Sequence, residues 1–311
     1  MKIIHGLKSL SKCKSGCAVT IGNFDGFHKG HKKLIEHIKN QSNKRSLCST
    51  IITFEPLPEE FFNYGKFKRL TRLKEKLKIF LDNDIDQVIC LNFNNNFSKI
   101  TATDFISKIL IEYLDTKYLV IGEDFKFGCE RKGDYKLLQD FSSKTGMEVV
   151  TIDSQIFNNK KISSSAIREA LSQGNISYAN KLLGREYSIT GRITKGDSRG
   201  HRLGYPTANI DIYKSYPIDG IFVVQISMEN NENHYGLASV GNKPTFSGKN
   251  NTLEVYIFNF NKNIYNQKIK VSFISKLRDQ IKFENEDELI KQMDLDYKNA
   301  LKFLEDHSNE L

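Results

Sequence analysis

Read from its N-terminus, the chain alternates short apolar runs with amphipathic stretches. CAVTIG (17–22), STIITF (49–54), QVICLNF (87–93), KYLVIG (117–122) and MEVVTI (147–152) have the length and composition of buried strands. Between them apolar residues recur at helical spacing. Leu34, Ile35 and Ile38 do so after the first run, and Leu70, Leu73, Leu77 and Leu81 fall on one helical face over 70–81. Further helices are predicted over 102–114 and over 134–146, the second closed by Gly146. Such alternation predicts a parallel sheet with helices on both faces.

Two short helices follow, over 163–174 and 175–184, with serines and then Asn175 as caps. Beyond Gly184 the texture changes. Segments 186–196, 205–212, 220–228, 234–241, 251–260 and 267–278 are all strand-like, separated by turn residues with no helix between them. They predict an antiparallel barrel or sandwich, closed by a helix over 286–306. Two domains are expected, 1–184 and 185–311.

Composition adds limits. Lys and Arg number 46 against 37 Asp and Glu, a net charge of +9, but the basic residues are dispersed. That favours a solvated surface over a nucleic-acid face, and no RNA-binding signature accompanies it. Five scattered cysteines make no disulfide framework, and Cys13 and Cys17 lack a second pair to complete a metal site. A reduced, cytoplasmic location is expected, with no signal peptide and no membrane segment.

The chemistry starts at the end of the first internal run. Gly22, Asn23, Phe24, Asp25, Gly26, Phe27, His28, Lys29, Gly30 and His31 join a strand to a helix. A helix start offers free backbone N–H groups and a positive dipole end, which suits phosphates. Gly22, Gly26 and Gly30 would let the backbone approach a ligand. His28 and His31 stand three apart, so both imidazoles can donate to charge developing on an attacked phosphorus.

G-N-F-D-G-F-H-x-G-H resembles the HxGH signature of the nucleotidyltransferase superfamily, and the whole chain resembles the bifunctional riboflavin kinase/FMN adenylyltransferase family. The resemblance implies a Rossmann-like nucleotidyltransferase domain followed by a riboflavin kinase barrel. TFEPLPEEFF (53–62) is similar to a family segment in which Leu57 replaces a His. RLTRLKEKL (69–77) matches a recurrent one. GEDFKFGCERKGD (122–134) resembles a stretch that holds the flavin, which implies that role for Asp124 and Phe125. ISSSAIREAL (162–171) resembles a second nucleotide signature, which implies that Ser164, Ser165 and Arg168 meet ATP phosphates.

In the second half, GRITKGDSRGHRLGYPTANI (191–210) resembles the riboflavin kinase signature. Gly196 and Gly200 suit a loop over phosphates. Thr207 and Asn209 alternate along a strand, so their oxygens can serve Mg2+ and ATP together. The resemblance gives Glu254 the role of base toward the ribityl 5′-hydroxyl, and places Arg278 and Phe283 beside the flavin. Tyr205 and Tyr256 depart from the family's usual Phe and His, and His201 from its Arg. The implied activities are phosphorylation of riboflavin to FMN and adenylylation of FMN to FAD, by a monomer or weak homo-oligomer with small-molecule partners. A transferase acting on a pantetheine, nicotinamide or glycerol phosphate would need neither the GYPTAN loop nor Glu254.

Overall fold

The computed structural model describes residues 1–6, 13, 15–195, 204–212, 215–242 and 251–307. The chain divides into two compact units, Met1–Ser164 and Ser165–Leu311.

The first unit is built on six parallel strands in the order β1-β4-β3-β2-β5-β6. They are β1 (Lys2–His5), β2 (Cys17–Ile21), β3 (Cys48–Phe54), β4 (Gln87–Leu91), β5 (Thr116–Gly122) and β6 (Glu148–Ile152). Side chains alternate between two cores. Val19, Ile21, Ile52, Ile89, Leu119 and Ile121 pack on one face with Phe105, Ile109 and Leu138. Ala18, Ile51, Val88, Tyr118 and Val120 pack on the other with Ile35, Ile38 and Phe80. Helices therefore cover both faces, as the alternation predicts. A small hairpin, β7 (Ile156–Phe157) with β8 (Lys160–Lys161), completes the strands of this unit.

Three features depart from the sequence reading. β1 is an additional edge strand; only Ile4 of its four residues is buried, so it carries almost no apolar signal. The stretch after Thr101 begins as an α-turn and continues as a π-helix over Phe105–Tyr113. The helix Leu73–Asp82 buries Lys76 and Phe80, whereas Leu81 is 52% exposed and Leu70 is a core residue ahead of the helix. The leucine stripe misplaces this face because a lysine with internal partners occupies its centre.

In the second unit the sheet closes into a barrel in the order β10-β13-β12-β11-β14-β9, which selects the barrel over the sandwich. The strands are β9 (Ser188–Thr194), β10 (Thr207–Asp211), β11 (Gly220–Met228), β12 (Asn233–Asn242), β13 (Asn251–Ile257) and β14 (Lys268–Arg278). Leu253, Val255 and Ile257 are buried, while Glu254 and Tyr256 between them are half-buried on the outer face. The helix Glu286–Asp306 packs on that outer face through Ala300, Tyr297 and Leu301. The helices Ser164–Ser172 and Ile176–Leu183 precede the barrel. Asn180 ties the second of them to it, accepting from Tyr187 N at 2.7 Å and donating to the Phe273 carbonyl at 3.5 Å.

Candidate active sites

The first site lies at the carboxyl ends of the parallel strands, where β2 sits between β3 and β5 and the winding direction reverses. That switch point is where doubly wound sheets bind ligands. Three residues of the loop after β2 have positive φ: Phe24 (48°), Gly26 (82°) and Phe27 (45°). Aromatic residues in this region cost of order 1 kcal/mol each, and packing holds them there. Phe24 is fully buried, its ring edge-on to Phe80 at 5.4 Å, with Phe27 at 6.1 Å from the same ring. Phe24 is thus part of the core.

Asp25 fixes the loop. Its carboxylate, 1% exposed, accepts from Leu70 N at 3.1 Å and Thr71 N at 3.0 Å, and Thr71 Oγ1 accepts from Gly26 N at 3.0 Å. Its carbonyl accepts from Ser164 Oγ at 2.8 Å, so the ISSS segment reaches the first motif. Beneath the loop, Lys76 Nζ donates to the Asn23 carbonyl at 2.7 Å and to Thr53 Oγ1 at 3.3 Å. Burial pushes this ammonium down to about 8, against the opposing pull of Asp25. Arg69, 2% exposed, grips Glu55 through two nitrogens at 2.9 and 3.0 Å and also pairs with Glu60.

His28 caps the helix Lys29–Arg45, its Nδ1 accepting from His31 N at 3.3 Å. A neutral ring accepting there carries its proton on Nε2. The two imidazoles stack with centroids 3.7 Å apart. Burial lowers His28 to about 4. Burial, then the neighbouring His28 and Lys76, hold His31 well below the usual imidazole range. His31 Nδ1 is buried with no protein partner, an orphan polar atom at the end of the motif. Gly22 and Gly30 have a packing reason of their own: a Cβ would meet the Phe24 ring at 3.1 Å and the His28 ring at 3.2 Å.

A cavity of about 650 Å³ opens beside the loop. Gly22 and Asn23 form part of its wall, Asp124 and Phe125 another part, and Phe54, Phe62, Phe93, Phe97, Phe105 and Phe127 much of the rest. Phe125 and Phe127 stack at 5.5 Å, and Asp124 pairs with Lys161 of the hairpin. The volume and aromatic lining suit a planar organic ligand of cofactor size. Leu57, where the family has a His, is fully buried. Ser165 and Arg168 lie early in the helix Ser164–Ser172 and belong to the second unit.

The second site is on the outer face of the barrel. Asn209 is the direct register partner of Glu254 across β10 and β13, and Glu254 is that of Ser239 across β13 and β12. Directly opposed residues share a face, so Thr207, Asn209, Glu254 and Ser239 present oxygen atoms on one side. Gln280 reaches this row, Nε2 donating to Ser239 Oγ at 3.0 Å. The departures Tyr205 and Tyr256 meet each other, rings edge-on at 5.1 Å, and the Tyr205 hydroxyl donates to Asp294. Arg278 is held by the buried Asp296 at 2.8 Å through Nε and 2.6 Å through Nη2, while Nη1 donates to the Asp279 carbonyl at 2.9 Å. Phe283 is half-buried after the barrel. Gly196, Gly200 and His201 lie outside the described residues.

Sequence reasoning missed Lys76, Thr71 and Arg69. The signal was present in RLTRLKEKL, where a lysine stands four residues before Phe80 on the face that must be buried.

The chain matches the FAD synthetase family over residues 10–166 and the riboflavin kinase family over residues 183–304. A bifunctional riboflavin kinase/FMN adenylyltransferase from Buchnera aphidicola is 41% identical over 97% of this chain and 99% of its own. The chain belongs to the bifunctional riboflavin kinase/FMN adenylyltransferase family. The family's Escherichia coli K12 member is 36% identical over 97% of this chain and 98% of its own. A crystal structure from Streptococcus pneumoniae, described as a macrolide-efflux protein, matches with a TM-score of 0.81 at 29% identity, covering 96% of this chain and 99% of that one. No helix among the described residues is long and apolar enough to cross a membrane.

Proposed function

We propose that this chain makes FMN and then FAD, phosphorylating riboflavin on the barrel and adenylylating FMN in the first unit. The observation that carries the reading is that the nucleotide loop and the flavin stretch, Gly22 and Asn23 with Asp124 and Phe125, wall one cavity. An FMN phosphate held there attacks the α-phosphorus of ATP, and pyrophosphate leaves. No covalent intermediate is needed. The chain positions the reactants and offers hydrogen bonds to the charge that develops. His28 Nε2 and the His31 ring supply them in neutral form. Asp25, bonded to the backbone of Leu70 and Thr71, holds the loop in shape. Ser165 and Arg168 keep their assignment to ATP phosphates on resemblance.

On the barrel, Glu254 accepts the proton of the ribityl 5′-hydroxyl, which attacks the γ-phosphorus of ATP. Thr207 and Asn209 are the residues that would hold Mg2+; their all-oxygen donor set and shared face fit a hard cation. When bound, the cation supplies screening of phosphate charge. Gly196 and Gly200 would cover the phosphates, and Arg278 and Phe283 would border the flavin. The functional boundary is placed near Gly184, the left-handed cap that ends the helix Ile176–Leu183. A cytoplasmic location is supported by five free thiols. Small molecules as the only partners, and a monomer or weak homo-oligomer, complete the reading.

Incubation with riboflavin, ATP and Mg2+, followed by chromatography, tests both steps. FMN should appear first and FAD after it. FMN alone as product, even when FMN is supplied as substrate, would refute the role given to the first unit.

A further inference from the structure

We propose that Cys13, Cys17 and Cys48 bind one thiophilic d10 cation, Cu(I) or Zn2+, at the end of the sheet opposite the nucleotide loop. The C-x3-C spacing alone offers two ligands, and the fold brings a third. Cys17 and Cys48 are register partners on adjacent parallel strands. Cys13 is carried to them by a turn in which Gly16 N donates to the Cys13 carbonyl at 3.1 Å, and Cys48 N donates to the Gly16 carbonyl at 3.0 Å. Gly16 has φ +75°, and a Cβ there would sit 2.9 Å from the Lys117 side chain.

The three sulfur atoms lie within 4.8 Å of one another, and no other such group of cysteine, histidine or acidic ligands occurs among the described residues. Metal–sulfur bonds of about 2.3 Å put thiolate sulfurs about 3.8–4.0 Å apart. Closing the site therefore needs only small side-chain rotations. Cys17 is fully buried while Cys13 and Cys48 are half-buried, leaving a way in for an ion. The Gln87 amide donates to Cys17 Sγ at 3.4 Å, a hydrogen bond of the kind that orients and supports a metal-bound sulfur. Three soft donors favour Cu(I) and Zn2+ over hard cations.

On binding, each S–H bond gives way to a sulfur–metal bond and its proton passes to solvent, with no electron transferred. Affinity therefore rises with pH. Cys17 opens β2 and Gly22 follows its last residue, so a five-residue strand, about 17 Å long, separates this site from the nucleotide loop. The ion would clamp the turn, β2 and β3 together, far from the reacting atoms.

The test is anaerobic titration of the reduced full chain with Zn2+ and, separately, with Cu(I) delivered from a competing chelator. One equivalent should bind, with sulfur-to-metal absorption for Cu(I), proton release and a raised melting temperature. Cys13→Ser, at a half-buried position, should fold normally and weaken binding by more than about tenfold. Cys90→Ser and Cys129→Ser should leave it intact. Absence of stoichiometric binding in the reduced protein would overturn the proposal. So would retention of full affinity in both Cys13→Ser and Cys48→Ser.

Discussion

The ring of His28 stacks on that of His31 with 17° between their planes and 3.7 Å between their centroids. Two rings so placed, out of water, resist a shared positive charge, and burial already lowers His28 to about 4. Both are neutral at neutral pH, so in the proposed reaction they would donate hydrogen bonds to a developing charge without themselves being ions. FAD formation should then show no break near the free imidazole value between about pH 6 and 8. Stability should follow the same groups. The folded state binds fewer protons than the unfolded one below about 6.5. His28 therefore contributes fully above that value, and the contribution, about 3 kcal/mol, is lost as pH falls toward about 4. Urea melts at a series of pH values measure it.

Each reaction should be separable by one substitution. Glu254→Gln removes the proposed base while keeping the size of the residue opposite Asn209. FMN formation should fall by about 10²–10⁴-fold with FAD formation from added FMN unchanged. His31→Ala should do the reverse, with a loss of about 10²–10³-fold. Product chromatography from each substrate reads both. Loss of both steps in either folded variant would count against two separate sites.

Asp25→Ala should be costly to the fold as well as to FAD synthesis. It orphans the N–H groups of Leu70 and Thr71 in a buried position, at about 1–3 kcal/mol each. The melting temperature of the first unit should drop, and a saturating flavin should not restore the rate.

Lys76→Met should separate loop geometry from stability. It removes the bond to the Asn23 carbonyl but also removes a buried ammonium. The orphaned carbonyl costs about 1–3 kcal/mol, offset by relief of the desolvated charge. FAD formation should fall by more than about tenfold while FMN formation and the denaturation midpoint change little. An unchanged rate would remove Lys76 from the account of the loop.

Much of this was legible in the sequence because two periodicities survive in it. The five apolar runs are five of the six strands of the first sheet, and the six strand-like segments of the second half are the six staves of the barrel. Residues whose role is to hold others were harder to see. Lys76 breaks the apolar pattern of its helix, and only tertiary structure supplies the carbonyl that makes its burial tolerable. Asp25 sits in a motif that suggests phosphate contact, yet its carboxylate is spent on the backbone 45 residues away. Cys48 gains meaning only once β2 and β3 are laid side by side. Pairing between strands is a long-range fact, and a local pattern does not encode it.

The alternation along β13 has a further consequence. Because Leu253, Val255 and Ile257 are buried and Glu254 is not, a slip of one residue would drive the carboxylate into the barrel and three apolar side chains out. Burial of these three apolar side chains in one register holds Glu254 on the outer face. The proposed base is thus held in position by neighbours on the opposite face of its own strand, so a change in the core that disturbs the register should appear as lost stability as well as lost chemistry.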